Sequence, residues 1–142
     1  AGLLALVGSL VKVRVIDQLA NLLVAATNNS VPIAMMVLLW GSAALSAIVD
    51  NIPFVATMAP VVSEMTAPGG QYAGENGLWW ALVLGADLGG NATAIGASAN
   101  VVVAGIAKRN GHALSFWEFT RYGLVVAVVT LLIATPYLLW RY

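Results

Sequence analysis

Two aspartates stand in long, otherwise uncharged stretches of this sequence, and each is followed by amide and hydroxyl side chains. Asp50 precedes Asn51, Pro53 and the pair Ala56-Thr57; Asp87 precedes Gly89, Gly90, Asn91 and the pair Ala92-Thr93, with Ser98 and Asn100 beyond. An ionisable residue at membrane depth is costly and is a functional candidate by default. Carboxylates among neutral oxygens suit a hard cation or an exchangeable proton. Pro53 and the Gly89-Gly90 pair would hold helix breaks open. Paired interrupted segments point to a transporter binding site, because half-helix ends aim dipoles and free backbone groups at one point. Amino-terminal half-helix ends starting near Asn51 and Asn91 would favour anions, and the carbonyls and carboxylates before them would favour cations.

Each residue also has a plainer use. Asp50 and Asp87 could cap adjacent helices at the interface. Asn91, Thr93, Ser98 and Asn100 could be interhelical hydrogen-bonding groups worth about 0.6 kcal/mol each, and the small residues between Gly85 and Gly96 could serve close helix packing alone. His112, beside Lys108 and Arg109, reads as solvated; Glu64 and Glu75 read as loop acids, and Trp79-Trp80 as an interfacial anchor. The combination is more specific than any member: two breaks, each with an acid, an Asn and an Ala-Thr pair.

The elements that must position these residues follow from composition. The chain has 142 residues, 61% hydrophobic and 8% charged, with six Lys+Arg against six Asp+Glu. Soluble domains carry about 25% charged residues, so this chain reads as an integral, multi-pass membrane protein. Zero net charge without a basic cluster argues against a nucleic-acid partner. The absence of Cys excludes a disulfide scaffold and a cysteine-metal site. The apolar runs are long and do not alternate, so the spans are helices rather than barrel strands.

Residue 1 is Ala and no basic region precedes an apolar core, so the expectation is a fragment or mature piece of a longer polypeptide, with residues 1–14 the end of a span. Residues 15–30 read as an amphipathic helix lying along the interface or linking two bundles, ended by the polar tract Thr27-Asn28-Asn29-Ser30. Residues 31–63 are too long for one crossing of about 30 Å. They read as a helical hairpin whose tip, 48–53, lies at membrane depth; the alternative is a full span with Asp50 at the water surface. Residues 64–76 form an aqueous loop, 77–107 a helix broken near Gly89-Gly90, 108–119 a turn and interfacial segment, and 120–142 a last span. The whole is a single membrane domain. Lys12, Arg14 and Arg141 fall on one side and Lys108, Arg109 and Arg121 on the other, so the positive-inside rule returns a tie.

SAIVDNIPFVATMAPVV (46–62), GADLGGNATAIGASANVVVAGIAKRNGH (85–112) and SFWEFTRYG (115–123) resemble the arsenite-permease and NhaD-type sodium–proton antiporter family, which includes the melanosomal P protein, within the ion transporter superfamily. The similarity extends to GSLVKVRVIDQLA (8–20). The long second motif is the specific one. The resemblance implies an all-α, polytopic fold of two inverted repeats, each with a re-entrant hairpin, a broken helix and an interfacial arm. This chain matches the later part of the second repeat. Dicarboxylate-carrying relatives have Ser-Asn-Thr at the hairpin tip, where sodium binds; here that place reads Asp50-Asn51-Ile52, which makes it acidic and less suited to an anion. By the same likeness Asn91 and Thr93 would face the tip, with sodium at Asp50, Asn51, Asn91 and Thr93.

The function expected is ion-coupled secondary transport, as cation–proton antiport or arsenite efflux, with no enzymatic activity and no cofactor beyond a bound sodium or a carried proton. Asp50 would be the coupling carboxylate. Asn51, Asn91, Thr93 and Ser98 would supply neutral oxygens, and Asp87 a second carboxylate or a helix-end contact. The partners expected are the bilayer, a small inorganic ion, and the first repeat, on the same longer chain or on another; a homodimer is compatible. The alternative is a non-transporting packing subunit or fragment of a larger transporter. An intramembrane aspartyl protease is disfavoured, because Val49 precedes Asp50 and Leu84-Gly85-Ala86 precedes Asp87 where such enzymes carry Tyr-Asp and Gly-x-Gly-Asp. No Walker-type phosphate loop is present.

Overall fold

A computed structural model of the chain describes residues 15–142. The span end expected over 1–14 lies outside the described residues. Six helices and no strands occur among them: α1 Val15–Ala26, α2 Val31–Ser46, α3 Asn51–Thr66, α4 Gly77–Gly90, α5 Ser98–Arg109 and α6 Phe116–Arg141.

Asn28 and Asn29 both take positive φ, 49° and 58°, a conformation that Asn tolerates better than most residues. They turn the chain sharply, so that the part of α1 from Ala20 to Ala26 meets α2 at 118°. The corner is clamped from a distance. Thr27 Oγ1 lies 2.6 Å from the buried Tyr72 hydroxyl, itself in the 67–76 loop. The single Thr27 hydroxyl proton is directed to Leu23 O at 2.8 Å, so Tyr72 is the donor to Thr27. Tyr72→Phe should therefore destabilise the protein by about 1 kcal/mol without opening a cavity, read as a lower melting temperature of the detergent-solubilised protein. An unchanged melting temperature would show that the clamp contributes nothing.

Pro32 sits in the first turn of α2, where its missing N–H leaves no bond unmade. Asp50 caps α3, its Oδ1 accepting from Ile52 N at 3.3 Å, and Pro53 falls in the first turn. Helices α2 and α3 are the two limbs joined by 47–50, but they touch each other little; both pack on α4.

The α2–α4 seam is the tightest part of the molecule. Its buried residues recur at helical spacing on each side: Ala34, Leu38, Leu39, Ser42, Ala43 and Ser46 face Leu78, Ala81, Leu82, Gly85, Ala86 and Gly89. Lipid is as apolar as leucine, so helices in a bilayer associate by close packing rather than by hydrophobic exclusion. Glycine provides the approach here. A Cβ on Gly85 would meet Leu39 O, and one on Gly89 would meet the backbone of Ala43.

Helix α6, 26 residues with mean hydropathy 2.1 over its most apolar window, is the one unbent helix among the described residues long and apolar enough to cross a bilayer. It packs on α4 and α2, and Trp40 Nε1 donates to Thr135 Oγ1 at 3.2 Å. It begins at Phe116 rather than at 120, because Ser115 Oγ accepts from Glu118 N at 3.1 Å and caps it. The segment expected as interfacial is thus its first turn. The 14 residues of α4 and 12 of α5 rise only about 21 and 18 Å, so each alone is too short to cross and the two together are long enough.

Candidate functional site

The end of α2, the start of α3 and the 91–97 break between α4 and α5 meet at one place, tied by side chains distant in sequence. Ser46 Oγ donates to Ala86 O at 2.7 Å across the seam, and both Ser46 and Ala86 are buried. Thr93 Oγ1 donates to Ala47 O in the turn after α2 and accepts from Gly96 N at 3.0 Å. Asn51 Nδ2 approaches Asp87 Oδ1 at 3.4 Å, a long contact.

The placement of Asp87 has an electrostatic logic. It lies in the last turn of α4, where the helix dipole disfavours an anion, but its carboxylate faces the first residue of α3, where the dipole favours one. Asp87 and Asn51, with Ile52, Val55, Ala56 and Val83, line an open groove of about 440 Å³ between α3 and α4. Asp50 is half-buried in the turn and uses one carboxylate oxygen as the α3 cap. The plain capping role is therefore present for Asp50; it leaves the second oxygen outside that bond.

Other candidates are placed differently. Asn91 is the residue after α4, not the start of a new helix, and the second half-helix begins at Ser98. The physical reason is that the break is itself a stitched turn: Asn91 N and Ala92 N bond back to Leu88 O and Gly89 O, and Gly96 N bonds Thr93 O. Asn91 is exposed and lines a groove with Glu118, Phe119 and Tyr122 on the α6 side. There the backbone passes so close to Gly123 that a Cβ would meet Asn91 O. Ser98 is exposed at the start of α5. Gly89 and Gly90 are the last two residues of α4, and their lack of side chains serves contact with α2 and with Gly96 as much as the break.

Ser46 was not among the expected site residues. Its sequence signals are a hydroxyl at the end of an apolar run and its place as the first residue of the 46–62 motif. No group of three or more His, Cys, Asp or Glu able to hold a metal occurs among the described residues. What this place holds instead is carbonyls, hydroxyls, an amide and two carboxylates.

Apolar helices, a helix broken by seven residues and a capped hairpin turn packed against that break form the discontinuous-helix arrangement common in secondary transporter folds. The chain belongs to the CitMHS citrate transporter family, whose pattern matches residues 1–85. It is 51% identical over 142 residues to an uncharacterized transporter of Mycobacterium tuberculosis, a match covering 100% of this chain and 33% of that protein. It is 36% identical over 149 residues to an uncharacterized transporter of Synechocystis, covering 95% of this chain and 33% of the relative. The P protein of Sus scrofa is 48% identical over 106 residues, 75% of this chain and 12% of that protein. The chain thus spans about a third of the length of the curated bacterial relatives it matches. No solved structure matches it. The bacterial relatives carry the name of transporters, and the P protein match agrees with the likeness in the motifs.

Proposed function

We propose that this chain forms half of the ion site of a secondary transporter that exchanges a cation for protons, with the rest of the site supplied by chain beyond these residues. Asp50 is the coupling carboxylate, loaded in turn by a proton and by the cation. Asn51 and Thr93 supply neutral oxygens, Asp87 the second carboxylate, and Ser98, at the exposed start of α5, a further hydroxyl, while Asn91, which lies toward α6, falls outside the site.

One observation carries this reading: the Asp50 carboxylate already occupies the Ile52 amide at the start of α3, with Asp87 directed at the same helix end. A helix amino terminus is the place where an anionic substrate would bind, and here the protein's own acids fill it. Two carboxylates near one helix end attract cations and repel oxyanions.

The family description favours a second reading, in which citrate is the cargo. A bare tricarboxylate would meet the same two acids, so this reading requires a cation to enter with it. Arsenite, a neutral species near pH 7, is the third cargo that the motifs suggest.

The test is proton movement in everted vesicles carrying the complete transporter, with sodium, lithium, arsenite and citrate added in turn. A pH change triggered by sodium or lithium supports antiport. Arsenite or citrate accumulation without a cation-triggered pH change refutes it in favour of that cargo. No flux with any of them favours a packing subunit.

A further inference from the structure

We infer that Asn100 is the positioning residue that sets the geometry of the helix break at the ion site; the inference deepens the cation reading above and rests on it for the transport readout alone. An amide nitrogen carries two hydrogens, and Asn100 spends both on the break: Nδ2 donates to Gly90 O at 2.8 Å and to Thr93 O at 2.9 Å. Gly90 ends α4, Thr93 lies in the middle of the break and Asn100 lies in the first turn of α5. One side chain therefore ties three pieces of backbone together.

Nothing apolar does this work. Helix α5 contributes no buried residue, so core packing does not set its direction. The last carbonyls of α4 have no donor further along their own helix, and Asn100 supplies one to Gly90. The space is tight: a Cβ on Gly96 would meet Gly90 O at 2.7 Å and Ser46 O at 3.0 Å. Holding Thr93 O also places the Thr93 hydroxyl against Ala47 O at the hairpin turn, so the amide acts on the tip–break junction through Thr93. It also commits Gly90 O and Thr93 O to protein hydrogen bonds, which leaves other oxygens of the site to the cation.

Asparagine is specific here. Aspartate has the same shape but would set a charged oxygen against two carbonyls, and alanine would leave both carbonyls without the donor. The experiment uses the complete transporter with Asn100→Asp, the milder Asn100→Ala, and the exposed Val101→Ala as control. Backbone hydrogen exchange over 90–97 should rise about tenfold in both Asn100 variants and stay at the wild-type rate in Val101→Ala, as expected for losing charge-neutral hydrogen bonds at a locally opening segment. In Asn100→Ala the sodium concentration for half-maximal proton movement should rise about tenfold while the maximal rate changes less than about twofold, the signature of a misplaced ligand set rather than a lost chemical group. Unchanged exchange in both variants overturns the inference. Raised exchange with wild-type sodium dependence also overturns it, leaving Asn100 a structural tie only. If the wild-type protein shows no sodium-triggered proton movement, the cation reading fails, and the exchange measurement alone decides whether Asn100 holds the break.

Discussion

Replacing Asp50 by Asn should remove sodium-triggered proton movement while the protein still folds and inserts. The two effects separate because Asn and Asp are equally good helix caps: the amide oxygen can still accept from Ile52 N, as the carboxylate does at 3.3 Å. Only the charge and the exchangeable proton are lost. The expected fall in coupled flux is about a hundredfold or more, equivalent to roughly 2.7 kcal/mol. Asp87→Asn is the informative companion. An amide there keeps an oxygen for Asn51 Nδ2, whose contact now measures 3.4 Å, so it should weaken the apparent sodium affinity while leaving coupling in place. Full coupled flux in Asp50→Asn would sink the assignment. The reverse pattern, with Asp50→Asn active and Asp87→Asn uncoupled, would move the coupling role to the acid in the groove.

Gly89→Val should be the most damaging substitution for the fold. A Cβ at Gly89 would meet the Cα, carbonyl carbon and oxygen of Ala43, and backbone atoms inside a helix cannot swing aside as a side chain can. Helices α2 and α4 would have to part along the seam that carries the Ser46–Ala86 hydrogen bond. Overpacking a dense interior costs about 1–3 kcal/mol even where side chains can adjust; here the expected loss is about 3 kcal/mol or more. The measurement is the melting temperature and the yield of monodisperse protein in detergent. Gly105→Ala is the control, since nothing lies within 4 Å of a Cβ there, and the exchange of Gly for Ala within a helix should stabilise by up to about 1 kcal/mol. A Gly89→Val protein as stable as wild type would show that the seam is looser than the backbone contact implies.

Much of the architecture could be read from local signals. Asn51-Ile52-Pro53 marks the start of α3, because proline is at home in the first turn, and the Gly89-Gly90 pair marks the end of α4 within a residue. Other boundaries are less legible. The Ser115–Glu118 cap draws α6 back to Phe116, and α3 runs on to Thr66, beyond the expected end at 63. The expected half-helix start near Asn91 was displaced to Ser98, since an asparagine can close one helix as readily as it can open the next. For Asn100 a ligand and an interhelical tie are both open from the residues; its hydrogen bonds run to Gly90 and to Thr93, across the break of the helix.

A helical membrane protein whose helices break at two places, with an acid at or just before each break, is legible in the amino-acid sequence alone. Those properties depend on composition, run length and the local effects of Pro, Gly and Asn, which act over a few residues. It takes the packing of distant helices to bring Asn51 to Asp87, Thr93 to Ala47 and Tyr72 to Thr27, and to turn Asn91 toward α6 and Thr93 toward the hairpin. The three bonded pairs are 36, 46 and 45 residues apart in the chain. For Thr93 and Ala47 the meeting depends on how closely α2 and α4 approach, through glycines at their seam, and no local pattern within either helix specifies that register.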